Sequence, residues 1–309
     1  MAAAASKPLT GVMPIAPTPF QANGDLDLAG MRRVLDCMID QGVDAICILA
    51  NYSEQFLLSD AERETLMTLS LEHVAGRVPV IVTISHFSTR LAAERARNAA
   101  AGGAAMLTMM PPYHGALLKA DEAGMLEHFQ RVAEAGRIPI MVQDAPLSGV
   151  ALSVPFLVRL AREVPLAAYF KIEVAGTAAK LRALIQAGGP AILGPYDGEE
   201  AITLMADLDA GATGTMPSAL YPDLLKPIVA AHKAGRRAEA AELYMRLLPL
   251  INYENRQCGL RATKTVMMEG GVIKSDAVRH PLVPLDAPTR AGLMDLARAA
   301  DPLALRWGK

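Results

Sequence analysis

The feature that most constrains the fold of this 309-residue chain is a regular alternation of two kinds of segment. Short apolar runs alternate with longer stretches whose apolar residues recur every three or four positions, as on one face of a helix. Alternating units of this kind predict a parallel sheet, and eight of them predict an α/β fold of the closed (β/α)8 TIM barrel type. The predicted strands span residues 12–16, 45–49, 78–84, 105–109, 139–143, 167–173, 191–193 and 212–216.

The alternative fold is a doubly wound open sheet, but no Gly-x-Gly-x-x-Gly turn follows the first predicted strand. The last part of the chain has helical patterns only, at residues 237–248, 256–268 and 288–299. No linker separates these helices from the barrel. We therefore predict a single unit in which a barrel, residues 1–235, carries a C-terminal helical extension, residues 236–309.

Composition argues against several classes of protein. Hydrophobic residues make up 52% of the chain, yet no apolar run is long enough to predict a membrane span. The first residues lack the charged and apolar regions of a signal peptide. The net charge is −2 without a basic stripe, which argues against nucleic acid. The three cysteines are scattered, which fits a reduced cytosol and argues against a zinc site. We predict a cytoplasmic protein without nucleic-acid, membrane or metal partners.

One predicted strand carries two charged residues. Within residues 167–176, Lys171 and Glu173 stand two positions apart, so their side chains project from the same face of the strand. A buried lysine tends to lose its proton, and a neutral amine beside a carboxylate suits Schiff-base chemistry on a 2-oxo acid. The alternative is a structural ion pair that caps the strand.

The active site of a (β/α)8 barrel lies at the carboxyl ends of its strands. Lys171 is the only lysine among the polar residues predicted to lie there, which favours the catalytic interpretation. The polar residues at these ends are Thr18, Asn51, Tyr52, Ser53, Glu54, Ser85, His86, Tyr113, Gln143, Asp144, Lys171, Glu173, Tyr196, Asp197, Thr215 and Ser218.

Several motifs resemble those of a known family. Residues 49–54 (Leu-Ala-Asn-Tyr-Ser-Glu) stand where this family has a Gly-x-x-Gly-Glu loop, and residues 111–113 (Pro-Pro-Tyr) stand at its Pro-Tyr-Tyr turn. Phe170 and Lys171 stand at its Schiff-base lysine, and residues 18–20 (Thr-Pro-Phe) match its opening. On these motifs, the sequence resembles the dihydrodipicolinate synthase / N-acetylneuraminate lyase superfamily over most of its length.

The resemblance implies a (β/α)8 enzyme that needs no cofactor and forms a homotetramer. It implies that Lys171 is the Schiff-base nucleophile. It also implies that Ser53, with backbone N–H groups around Asn51 and Tyr52, holds the substrate carboxylate. Tyr113 resembles a tyrosine that reaches across a subunit contact in relatives. Two further residues are expected to line the site, Thr18 and His86.

Departures from the family pattern indicate the reaction. Relatives that make or break a carbon–carbon bond have a tyrosine on the fifth strand, where this chain has Gln143, and the synthase has an arginine where this chain has residues 147–149 (Leu-Ser-Gly). An amide neither gains nor loses a proton at useful pH, so Gln143 can orient a hydroxyl or a water but cannot act as a base. Glu173 then becomes the candidate general acid/base. This combination resembles the L-2-keto-3-deoxyarabonate dehydratases of the superfamily.

Other interpretations remain open. The chain could be a class I aldolase or synthase that handles pyruvate and an aldehyde, or a barrel that only binds a keto acid. Glu173 could be a structural partner of Lys171, and Gln143 a core amide. The acids Asp197, Glu199 and Glu200 follow the seventh strand. We expect these three to be a solvated helix start rather than a metal site, because acidic side chains favour that position.

Overall fold

The structure is a computed structural model, and it describes residues 8–112 and 120–309. Eight parallel strands are paired in the order β1-β8-β7-β6-β5-β4-β3-β2. Tyr113 lies outside the described residues. The strands are β1 Gly11–Val12, β2 Ile46–Ile48, β3 Val80–Thr83, β4 Met106–Met109, β5 Ile140–Asp144, β6 Tyr169–Ile172, β7 Gly194–Asp197 and β8 Gly214–Thr215.

Hydrogen bonds close the sheet between its first and second strands. The backbone N–H of Asp44 donates to Val12 O at 2.9 Å, that of Cys47 to Pro14 O at 2.9 Å, and that of Ala16 to Cys47 O at 2.8 Å. Closure leaves no unpaired edge, which is the defining property of a barrel. The predicted (β/α)8 barrel is therefore confirmed.

Eight helices alternate with the strands, and three more follow. They begin and end near the predicted positions, because caps such as Ser59 and Asp121 accept hydrogen bonds from the first-turn N–H groups. The helices are α1 Leu28–Asp40, α2 Asp60–Val74, α3 Thr89–Ala101, α4 Glu122–Gly136, α5 Val154–Glu163, α6 Thr177–Gly188, α7 Leu204–Asp209, α8 Pro222–Lys233, α9 Arg237–Tyr253, α10 Arg261–Glu269 and α11 Ala287–Ala300.

The alternation of side chains along β6 places the predicted catalytic lysine. Phe170 and Ile172 belong to the large core between the sheet and the helices. Tyr169 belongs to the smaller core inside the barrel, where its ring stacks on that of Tyr196 at 6.4 Å between centroids. Because side chains two positions apart share a face, Lys171 also points into the barrel, one layer closer to its carboxyl end.

The C-terminal extension packs on the barrel. Helix α9 lies against α8 and α11, and α10 reaches the barrel loops through Lys264 and Glu54. A π-helical turn, Glu254–Cys258, separates α9 from α10. None of the described helices is both long and apolar enough to span a bilayer. The division at residue 235 stays a prediction, and these contacts support the expectation of one unit.

The seventh strand–helix unit differs from its prediction. The strand predicted at residues 191–193 is wrong, since β7 begins at Gly194 and continues through Pro195. A Gly-Pro pair is typical of a turn, but here a β-carbon on residue 194 would lie 2.3 Å from Tyr196 Oη and 2.5 Å from Tyr169 Cδ1. The glycine is thus required by the two tyrosine rings inside the barrel. Helix α7 is also shorter than the predicted helix at 199–208.

Candidate active site

Two strands bring three of the predicted site residues together. Gln143 on β5 stands opposite Lys171 on β6 in the strand register. The backbone N–H of Glu173 donates to Asp144 O at 2.9 Å, so the strand geometry continues past Ile172 and Glu173 faces the same way as Lys171. Lys171 Nζ forms an ion pair with Glu173 Oε1. Gln143 Nε2 donates to both oxygens of Glu173, at 3.0 and 3.2 Å.

The environment of Lys171 acts on its pKa in two opposing directions. The side chain is 4% exposed. Burial is the largest influence and lowers the pKa of Lys171, but the carboxyl groups of Glu173 and Glu200 and the hydrogen bond to Glu173 raise it by more, so that the pKa lies above its usual value. Because the carboxyl groups oppose the effect of burial, the neutral amine stays a prediction, and any ammonium form of Lys171 must pass its proton on before Nζ can attack a carbonyl.

A further carboxyl group near Lys171 is one that sequence reasoning missed. Glu200 was expected in a solvated helix start, but it is 7% exposed, and the structure shows a buried turn instead. Its Oε2 atom has no hydrogen-bond partner among the described residues. Burial raises the pKa of Glu200 well above its usual value, although the nearby Lys171 lowers it.

The backbone around Glu200 is unusual. Glu200 and Ala201 have φ angles of 52° and 66°, in the left-handed region that residues with a side chain rarely adopt. Each such residue costs on the order of 1 kcal/mol and persists only where the surroundings impose it. The sequence signal that could have located this turn is Gly198, because a β-carbon there would lie 2.7 Å from both Lys171 Cγ and Glu173 Cγ.

The other two acids of this segment also differ in burial. Asp197 is fully buried and accepts a hydrogen bond from Thr215 Oγ1 at 2.5 Å. Burial and the nearby Asp207 raise the pKa of Asp197 to about 8. Glu199 is more exposed and lies 3.5 Å from Arg256. The solvated helix start is thus wrong for Asp197 and Glu200. Within residues 8–112 and 120–309, no group of three His, Cys, Asp or Glu residues could hold a metal ion.

The predicted carboxylate-binding residues form a 3₁₀ turn, Asn51–Ser53, directly after β2. Ser53 Oγ donates to Ala16 O at 2.6 Å and accepts from the Ala50 N–H at 3.1 Å, and Thr18 Oγ1 donates to Ser53 O at 2.7 Å. Both hydroxyl protons are thus bound to the backbone and shape the turn. The backbone N–H groups of Asn51 and Tyr52, by contrast, meet no acceptor in the described part of the chain.

The remaining predicted residues lie in different places. Tyr52 packs on the core inside the barrel, and its pKa is raised by burial and by Glu200. It therefore faces the same interior as Lys171. His86 is half-buried after β3 and accepts a hydrogen bond from the Ser88 N–H at 2.9 Å. The charges that act on His86 come from α2 and α3 rather than from Lys171.

The chain is similar to known proteins over nearly its whole length. The sequence model of the dihydrodipicolinate synthetase family matches residues 8–300. The L-2-keto-3-deoxyarabonate dehydratase of Azospirillum brasilense is 56% identical over 297 residues, covering 96% of both chains. The 4-hydroxy-tetrahydrodipicolinate synthase 2 of Streptomyces coelicolor is 31% identical, covering 90% of this chain and 91% of that one.

Solved structures agree with the sequence comparison. Dihydrodipicolinate synthase from Rhodopseudomonas palustris superposes with a TM-score of 0.86 at 27% identity, over 95% of this chain and 100% of that one. The enzyme from Bacillus anthracis superposes with a TM-score of 0.87 at 25% identity, over 95% and 99%. With a family match that spans almost every residue and an interior lysine on β6, the chain belongs to the dihydrodipicolinate synthetase family.

Proposed function

We propose that this chain is a Schiff-base hydro-lyase that converts L-2-keto-3-deoxyarabonate to 2,5-dioxopentanoate and water. The observation that carries the proposal is the pairing of Glu173 with Lys171 at the position where Gln143, rather than a tyrosine, faces the lysine. The 56% identity to a dehydratase of this substrate supports the same activity. The amide of Gln143 neither gains nor loses a proton, so the carboxyl groups must carry out proton transfer.

The first step joins the substrate to Lys171. The free N–H groups of Asn51 and Tyr52 bind the substrate carboxylate, since two such donors at the start of a turn suit an anion. Glu173 takes the ammonium proton of Lys171, and Nζ then attacks C2. A proton moves from Nζ to the C2 oxygen, Glu173 returns its own proton to the same oxygen, and water leaves. The resulting iminium ion makes the C3 protons acidic, and Glu173 is a carboxylate again.

The second step removes the C4 hydroxyl. Glu173 takes a proton from C3, and the electron pair forms an enamine. The enamine expels the C4 hydroxyl, which leaves as water when an acid supplies a proton. We assign this proton transfer to Glu200, because it is buried near Lys171 and Glu173 and burial raises its pKa. The product of this step is an iminium conjugated with a C3=C4 double bond.

The third step moves the unsaturation. Loss of a C5 proton gives a dienamine with an enol at C5. Proton uptake at C3 restores the iminium ion, and proton uptake at C4 with loss of the enol O–H proton gives the C5 aldehyde. Water then adds at C2, and the free Lys171 is regenerated. One water molecule is consumed and two are released over the cycle, which balances as a net dehydration.

The aldolase interpretation needs a different proton transfer. Retro-aldol cleavage of the same imine requires a base at the C4 hydroxyl, and the amide of Gln143 cannot be that base. Products distinguish the two reactions. We expect 2-keto-3-deoxypentonate to give 2,5-dioxopentanoate, and a mixture of pyruvate and glycolaldehyde would instead establish an aldolase.

Trapping with borohydride tests the imine itself. We expect the protein incubated with pyruvate and borohydride to gain the mass of the reduced adduct on Lys171. A Lys171→Met variant is the negative control. If the wild-type chain gains no mass while it binds pyruvate, the barrel binds keto acids without Schiff-base chemistry.

Glu173→Gln separates imine formation from water loss. We expect this variant still to be trapped by pyruvate and borohydride, because removal of the Glu173 charge lowers the pKa of Lys171 and solvent can take its proton. It should dehydrate the sugar acid about 10²- to 10⁴-fold more slowly, because it lacks the acid/base group. Glu199→Gln is a matched control, since Glu199 stands in the same region and pairs with Arg256 rather than with Lys171. Normal turnover by Glu173→Gln would leave Glu173 with a structural role.

We further propose that the enzyme works as a homotetramer in the cytoplasm. The family resemblance supports the oligomeric state, and the scattered, buried and unpaired cysteines fit a reducing compartment. Sedimentation of the purified protein at several concentrations tests the tetramer.

A further inference from the structure

A buried ion pair that takes no part in the proposed reaction joins the C-terminal extension to the turn at residues 51–53. Lys264 on α10 and Glu54 after the turn are 0% and 3% exposed, and Lys264 Nζ contacts Glu54 Oε1. Lys264 Nζ also donates to Ala277 O at 2.7 Å, and the Arg279 N–H donates to Glu54 Oε2 at 3.2 Å. Both side chains are thus buried, and each has a second hydrogen bond besides the ion pair, which joins residues 210 positions apart.

The glutamate in this pair has a left-handed backbone. Glu54 has φ 58° and ψ 37°, and its N–H donates to Asn51 O at 3.0 Å, which closes the turn. At the other end, Leu49 has φ 59°. Two residues with unfavourable backbone angles therefore bracket the turn. Such angles persist only where other contacts impose them, and at Glu54 the imposing contacts come from the side chain.

A second cation of the extension holds the continuation of the same loop. The Arg279 guanidinium donates to Leu57 O at 2.8 Å and to Glu62 Oε2 at 2.8 Å. The Phe20 ring lies under both cations, with Lys264 Nζ 4.3 Å and Arg279 Cζ 4.5 Å from its centroid. The loop between β2 and α2 is therefore fixed from outside the barrel by residues of the extension.

We propose that Lys264 is a positioning residue for substrate binding: by pairing with Glu54, it holds the turn at residues 51–53 with the Asn51 and Tyr52 N–H groups directed at the substrate carboxylate. This inference rests on the proposed function for the place of that carboxylate. It adds that binding is built from the C-terminal extension as well as from the barrel. A pair that served stability alone would leave substrate affinity unchanged in any variant that folds.

Lys264→Met tests the proposal, with Lys226→Met as the matched control. Lys226 pairs with Asp44 at 2.7 Å, and both side chains are 35% exposed and remote from the turn. For Lys264→Met, we expect KM for 2-keto-3-deoxypentonate to rise about tenfold to a hundredfold, as misplaced binding groups do. The kcat at saturation is expected to stay near that of the wild type, because Lys171 and Glu173 are untouched. Lys226→Met is expected to change neither constant.

A double variant protects the test against misfolding. Lys264→Met with Glu54→Leu removes both buried charges, and such apolar replacements are often tolerated. The double variant should show the same rise in KM as Lys264→Met, because both variants lack the ion pair between Lys264 and Glu54. An unchanged KM in either folded variant overturns the proposal, and so does a loss confined to kcat.

Calorimetric titration with pyruvate separates this inference from the proposed function. Weaker pyruvate binding by Lys264→Met supports the positioning role, even if borohydride fails to trap the wild type and the Schiff-base mechanism is lost. Equal binding by Lys264→Met and the wild type overturns the positioning role, even if trapping succeeds.

Discussion

Lys171 and Lys264 are each buried against a glutamate, and the two pairs differ in what surrounds them. Lys264 donates to a backbone carbonyl as well as to Glu54, and Arg279 lies nearby. Lys171 lies beside Glu173 and a second carboxyl group, Glu200. Burial lowers the pKa of both lysines, but the pKa of Lys264 ends below its usual value while that of Lys171 ends above it.

The difference lies in how complete each pair is. Both oxygens of Glu54 bind groups of the C-terminal extension, so a substrate finds nothing free there. Both oxygens of Glu173 accept from Gln143, but its side chain remains 15% exposed, and the Oε2 atom of the neighbouring Glu200 has no hydrogen-bond partner among the described residues. An ion pair with all of its partners inside the protein fixes structure. A pair that is partly exposed and has an unpartnered carboxyl oxygen beside it can exchange a proton with a ligand.

The largest expected effect is a contrast between variants of the two lysines, one of which should lose activity and the other stability. Lys171→Met should lower kcat/KM at least about 10⁴-fold, as loss of a covalent nucleophile does, while the free energy of unfolding changes little. Lys264→Met should retain kcat but lose about 3–5 kcal/mol of stability, because it leaves Glu54 buried without its cation. Urea unfolding measures the stability of both variants, and steady-state kinetics measures their activity. Equal stability losses in the two variants would contradict the distinction.

A buried glutamate without a lysine sharpens the comparison. Glu254 is fully buried at the π-helical turn, and burial raises its pKa from 4.5 to about 7, although Tyr221, Ser218 and Thr263 donate hydrogen bonds to it. Below pH 4.5 the group is neutral in both the folded and the unfolded chain. As the pH rises towards 7, only the unfolded chain ionises it, so the folded state loses stability, by about 3 kcal/mol in total.

Glu254→Gln should remove this pH dependence. The urea midpoint of the wild type should fall between pH 4.5 and 7 relative to that of the variant, and the difference should stay constant above pH 7. Glu242→Gln is the matched control, because Glu242 is exposed on α9. A parallel pH dependence of the wild type and Glu254→Gln would mean that burial of this carboxyl group carries no cost.

Local patterns in the sequence were enough to predict the barrel and to place Lys171 and Glu173 on one face. Periodicity and caps depend on neighbouring residues, so eight strand–helix units could be identified without the structure. The exception, β7, begins with Gly194 and Pro195, whose role depends on tyrosine rings from two strands. A Gly-Pro turn motif cannot be distinguished from the start of a strand by sequence when long-range packing determines the backbone conformation.

The features that sequence reasoning missed all depend on distant residues. The backbone oxygen of the buried Glu200 accepts a hydrogen bond from Tyr221 Oη at 3.5 Å, and Glu254 of the C-terminal extension raises the pKa of Glu200. Lys264 and Glu54 are 210 positions apart. The charge of Lys171 could not be predicted either, since burial and carboxyl groups act on it in opposite directions. Only the folded geometry decides which influence is larger.

The smallest expected effect comes from Gly198→Ala, which disturbs one lysine pair and leaves the other intact. The new methyl group would lie 2.7 Å from Lys171 Cγ and Glu173 Cγ and 2.9 Å from Ile172 O. Both side chains must shift by several tenths of an ångström, and we expect kcat/KM to fall about a hundredfold. KM should change little, because the turn at residues 51–53 and Lys264 are untouched.

Gly124→Ala on α4 is the matched control for this variant, because its new methyl group would meet only the surface side chains of Asp121 and Ala120, at 3.2 Å or more. A Gly198→Ala enzyme with normal kcat would show that the Lys171 pair tolerates displacement. Displacement of the reactive pair, unlike displacement of the Lys264 pair, is expected to slow the chemical step. If it does not, the distinction between a pair that transfers protons and a pair that fixes structure would rest on the Lys264 variants alone.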